Sequence, residues 1–233
     1  MFLTALVLFY RFFKEHSTEY RSSEKKYHNG KHIAVVTMFA PWEAFPLIKY
    51  DRQKFEAVVP TILLLLVLVV RIIKVFVLHY PLQETKVEDV LFIQELTGFL
   101  IPFLLWVAGH YYVSCIFNGE VRMREVYAST CYALLPYIIF TLPLALLTNI
   151  MGNDSAGYFR FFTMVISIWV VVLIFLSIKT MNHYSVGQTI MVMFVSVLAV
   201  LILAVVMALL YLLGMKLLNF VIEVIEECKL QFL

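Results

Sequence analysis

Apolar and polar positions alternate along this chain on a scale of whole helices. Five long apolar runs, at about residues 57–78, 95–117, 127–148, 158–179 and 189–213, are separated by polar or charged links. A helix needs about 20 residues to cross a ~30 Å hydrocarbon layer, and each run is long enough. The expectation is an all-α, polytopic membrane helical bundle with five transmembrane helices, an N-terminal interfacial elbow and a C-terminal amphipathic helix. Residues 1–13 are also apolar, but the run is too short to span. Its charges follow it instead of preceding it, so it does not read as a signal peptide. An interfacial or partner-bound helix is the reading for 1–13, and a solvated linker for 11–31. The chain therefore divides into an extension, 1–31, and a membrane domain, 32–233.

Within the elbow, Phe39, Trp42, Phe45 and Ile48 recur at every third position, with Glu43, Lys49, Asp51 and Arg52 largely off that row. Such a segment suits a membrane interface, lying flat and feeding the first span. Pro41 fits a first helical position, whereas Pro46 is expected to break the helix. In the third run, Pro136 and Pro143 each remove a backbone hydrogen bond, so two bends are expected. After Gly214, Leu217, Leu218, Val221, Ile222 and Ile225 face away from Lys216, Asn219, Glu223, Glu226 and Glu227.

Composition agrees with the pattern. The chain has 62% hydrophobic and 15% charged residues, against about 45–50% and 25% in soluble domains. A net charge of +2 gives nucleic-acid binding no electrostatic support. The placement of charge says more. Nine Lys and Arg precede the first run, and the Arg122/Arg124 loop and Lys179 fall on the same side of a five-span topology. That side is then cytoplasmic and holds the N-terminus.

Few residues suggest chemistry. Arg71 and Lys74 lie one turn apart near the far end of the first span, with Arg71 about 21 Å in. Long stems there can snorkel to the boundary, and the alternative is a specific contact, for which Glu95 is the nearest counter-charge in sequence. His110 lies deep in the second span and is either a candidate site or a neutral imidazole bonded to a neighbouring helix. Cys115, Cys131 and Cys228 show no metal or redox spacing, and His183-Tyr184-Ser185 has no acid partner. No catalytic, cofactor or metal residues are expected. The candidate interaction or pathway residues are Arg71, Lys74, Glu95, His110, Pro136 and Pro143, and the candidate elbow residues are Pro41, Trp42, Glu43 and Phe45.

Three stretches, APWEAFPLIKYDR, GFLIPFLLWVAGHYYVSCIFNGE and REVYASTCYALLPYIIFTLPLALLTNI, together resemble the Yip domain family (Ypt-interacting proteins), and most closely its prokaryotic branch. The resemblance runs from about His32 to the end of the fifth span. It implies five spans with a cytoplasmic N-terminus, and offers no catalytic motif. Pro41, Glu43, Ala44 and Phe45, and Ala133, Leu134, Pro136 and Tyr137, are its matching positions and look structural. Eukaryotic members bind Rab-type GTPases in traffic between endoplasmic reticulum and Golgi. Prokaryotic members resemble accessory membrane proteins, some associated with ABC-type transporters. The expected function is a non-enzymatic membrane scaffold or accessory subunit, touching lipid and other membrane subunits. The alternative is a small transporter, channel or lipid-handling protein using the proline-bent third span. The expected location is a prokaryotic plasma membrane, with endoplasmic reticulum or Golgi membrane as the alternative.

Overall fold

The computed structural model describes residues 33–50, 58–77, 92–148 and 156–231. The readings for 1–31 lie outside the described residues, as do most of the first and third links between the apolar runs. The described chain is helical: α1 (Ile33–Phe39), α2 (Pro41–Tyr50), α3 (Val58–Val77), α4 (Phe92–Ile116), α5 (Met123–Ala133), α6 (Leu135–Thr148), α7 (Ala156–Asn182) and α8 (Val186–Gln231). Five segments are long and apolar enough to cross a membrane: α3, α4, the α5–α6 pair, α7 and α8.

The third crossing is the centre of the bundle. Half of it is buried inside the protein, against 11% of the α8 segment. Tyr132, Cys131, Ala133, Leu135 and Ile138 form the core with Val67 and Val70 of α3, Phe103 of α4 and Leu173 of α7. The helix breaks at Leu134, two residues before Pro136, which has no N–H to donate to Tyr132. It then runs unbroken through Pro143. Of the two bends expected, the one at Pro136 takes the form of a break, while the helical run continues past Pro143.

The elbow differs as well. The break between α1 and α2 falls at Ala40, because Pro41 lacks an N–H and disfavours a helical conformation in the residue before it. Pro46, expected to break the helix, stays inside α2. The apolar row does not lie flat on a membrane surface throughout. Phe45 and Ile48 are buried with Ala44 in the main core, against α7 and α5, while Phe39 is exposed.

Three turns show how the crossings are stitched. At the end of α4, Asn118 takes a left-handed conformation (φ 55°) and Gly119 N–H donates to Ser114 O at 2.7 Å. At the end of α7, His183 does the same (φ 56°) and Tyr184 N–H reaches Lys179 O. Both are Schellman closures. Then Ser185 and Gln188 exchange backbone and side-chain bonds, a capping box that starts α8. At α5, Glu125 accepts from the Arg122 N–H in the same position. The tail after Gly214 is not a separate helix, since α8 runs through that glycine for 46 residues, about 69 Å.

Candidate functional site

The described polar groups gather at three depths. At one end of the bundle, Lys49 closes a clasp. Its ammonium, on α2, donates to Glu120 Oε2 at 2.6 Å and to Met181 O at 2.8 Å. Met181 belongs to the last turn of α7, whose carbonyls lack helical partners and attract a cation. The Lys49 side chain is 9% exposed and that of Glu120 63%, so water screens the carboxylate and limits the pair's strength. The Lys49 bond holds the Glu120 carboxyl below its usual range. Beside the clasp, Tyr184 OH donates to Phe117 O at 3.3 Å. Asn182 donates to Ile178 O, and its buried Oδ1 has no hydrogen-bond partner. Elbow, α4–α5 loop and α7–α8 turn therefore meet at one end. That is the arrangement alternating crossings demand.

At mid-depth His110 is buried where α4 packs on α8. Ser196 Oγ donates to Val192 O at 2.7 Å, which leaves it to accept from His110 Nδ1 at 3.0 Å. Ser114 Oγ lies 3.4 Å from Nε2, placed to donate to it. These roles assign a neutral Nδ1–H imidazole. Trp106 stacks on the ring at 5.7 Å. Gly109 keeps the helices close, since a Cβ there would stand 3.0 Å from Val200 Cγ2 and 3.4 Å from its backbone nitrogen. His110 thus ties two helices together. No group of three metal-ligating side chains exists among the described residues.

At the other end Arg71 Nη2 donates to Glu95 Oε2 at 2.9 Å. The guanidinium stands 5.2 Å from the Phe99 ring centroid, and Lys74 Nζ 5.8 Å from that of Phe159. Three crossings, α3, α4 and α7, meet here. Arg71 Nε is buried and has no hydrogen-bond partner.

The candidate residues thus separate. Arg71, Lys74 and Glu95 form one cluster, His110 a second site, and Pro136 is buried in the central break. Pro143 lies exposed on the outside of α6. In the elbow Pro41 and Phe45 are buried, and Trp42 and Glu43 are half-buried. The Lys49–Glu120 clasp escaped the sequence reading, because its partners are 71 positions apart and no local pattern links them. The α8 capping box was legible in Ser185-Val186-Gly187-Gln188 and also went unread.

The family model for the Yip1 domain matches residues 35–214. No curated protein and no solved structure matches the chain.

Proposed function

Since the chain belongs to the Yip1 domain family and is an integral membrane protein, we propose that it serves as a non-enzymatic scaffold or accessory subunit for another membrane complex. The observation that carries this reading is the reach of α8. Held upright, this helix of about 69 Å passes the ~40–45 Å of a bilayer with its headgroups after about 30 residues, near Lys216. Leu217, Leu218, Val221, Ile222 and Ile225, towards its far end, are exposed. Lipid covers the apolar part of α8 inside the membrane. The apolar part outside it needs a protein cover. A second membrane complex supplies one, and an ABC-type transporter is the class the prokaryotic resemblance suggests. The conduit reading has less support, since the break at Leu134 is filled by Tyr132, Leu135 and Ile138.

We further take the elbow end as cytoplasmic, from the excess of Lys and Arg there. Affinity purification in mild detergent tests the scaffold reading. A partner should be recovered in fixed stoichiometry, and the double change Leu218→Lys with Ile222→Lys should release it. Recovery of a lone monomer in several mild detergents, or capture indifferent to that double change, would overturn the reading.

A further inference from the structure

The cluster at the end remote from the elbow holds two cations and one carboxylate. Glu95 is engaged by Arg71, and no carboxylate among the described residues pairs with Lys74. Among the described residues of the cluster one positive charge is left over, on a side chain half-buried three residues before the end of α3. An uncompensated ammonium at that depth is costly unless its stem carries the head to the boundary or an anion meets it. Phe159 holds the Lys74 head on one side. Towards the middle of the bilayer the same helix exposes Ile73, Val69 and Leu66, which are surfaces for an acyl chain.

We propose that the Arg71–Lys74–Glu95 cluster is a binding site for one anionic phospholipid, its phosphodiester on Lys74 and its acyl chain along Ile73, Val69 and Leu66. Charge argues for this ligand: the surplus of one matches a single phosphodiester. Arg71 adds donors, since the bond to Glu95 uses one of five N–H groups in a guanidinium. A soluble phosphate would meet the same charge but make no use of the apolar face below it. The site is independent of the scaffold reading, because it lies on α3, α4 and α7 and not on the far end of α8.

Native mass spectrometry of the full chain, delipidated in detergent and titrated with defined lipids, tests the site. Phosphatidylglycerol should bind in preference to phosphatidylcholine, with one copy retained. Each Lys near a membrane surface is worth about a fivefold change in attraction to anionic lipid. Lys74→Gln should therefore lower retention about fivefold, and Lys74→Arg should keep it. Glu95→Gln, which leaves two uncompensated cations, should raise it. Opposite responses of two substitutions in one cluster are not produced by general loss of fold. Lys216→Gln, a cation on α8, should change nothing. Excess glycerol 3-phosphate should not displace the lipid. Equal retention of both lipids by the wild type overturns the proposal, as does indifference to both Lys74→Gln and Glu95→Gln. Displacement by glycerol 3-phosphate at matching concentration would reassign the site to a free anion and overturn it too.

Discussion

At the scale of single residues, the fold depends on small groups where backbones approach. Gly119 is the sharpest case. A Cβ there would fall 2.6 Å from both Asn182 Oδ1 and Tyr184 OH, and 2.8 Å from Ser114 O. The last of these is backbone in the Schellman closure and cannot swing away. Gly119→Ala should cost about 1–3 kcal/mol, the ordinary penalty for overpacking, and thermal unfolding in detergent reads it. A nearby alanine change at the exposed Glu120 should cost far less. Glu120 matters through its charge instead. Its carboxyl titrates below its unfolded value because Lys49 holds the ionised form. The clasp is therefore fully present above the ordinary carboxylate pKa, and is lost as pH falls through the depressed one. Melting temperature should drop on acidification below about pH 4.5. Glu120→Gln should flatten that part of the profile, and an unchanged acid limb would remove the clasp from the account.

Between helices, the informative comparisons are pairs of substitutions with different expected signs. Pro143 lies inside a continuous α6 on its exposed side, where it forfeits one backbone bond. Pro143→Ala restores the bond and should raise stability, by up to the ~3 kcal/mol a helix-interior proline costs. Pro136 is buried in the break, in a conformation the core is packed around. Pro136→Ala should instead lower stability by about 0.4–1 kcal/mol, because the unfolded chain gains freedom. Denaturation curves of both variants check the contrast; two changes of one sign would mean that the break is not fixed by Pro136. The α4–α8 contact has its own test. His110→Ala and Ser196→Ala should couple by about 0.6–1.7 kcal/mol in a double-mutant cycle, the range for polar bonds between membrane helices. Sequence showed this level unevenly. Apolar runs placed the first four spans and the start of the fifth to within a few residues, because the hydrocarbon layer dictates their length. The break expected at Pro46 falls instead before Pro41, because a proline's effect depends on whether neighbours fill the gap it makes. Pro46 and Pro143 are accommodated inside helices, whereas Pro136 and Pro41 each have a break just before them.

For the molecule as a whole, the sequence carried the five crossings and their charge asymmetry, but not where the elbow packs or how far the last helix reaches. Phe45 and Ile48 have the same spacing whether they face lipid or protein, so only the fold separates the two. Gly214 in an otherwise apolar helix resembles a stop, yet nothing lies within 4 Å of a Cβ built on it and the helix continues. The topology itself rests on contacts far apart in sequence. Lys49 meets both Glu120 and Met181 at one end, and Arg71 meets Glu95 at the other, so successive crossings must alternate in direction. Five alternating crossings carry α8 away from the clasp and leave the elbow and the tail on opposite faces of the membrane. Single cysteines at Glu120 and at Lys216, in a background with Cys115, Cys131 and Cys228 replaced by serine, report this directly. Both positions are exposed. In sealed vesicles of one orientation, a membrane-impermeant maleimide should label one of the two from outside and the other only after permeabilisation. Labelling of both from the same side would require an even number of crossings. Three crossings lie between the two positions, so one of the α5–α6 pair, α7 and α8 would then fail to span.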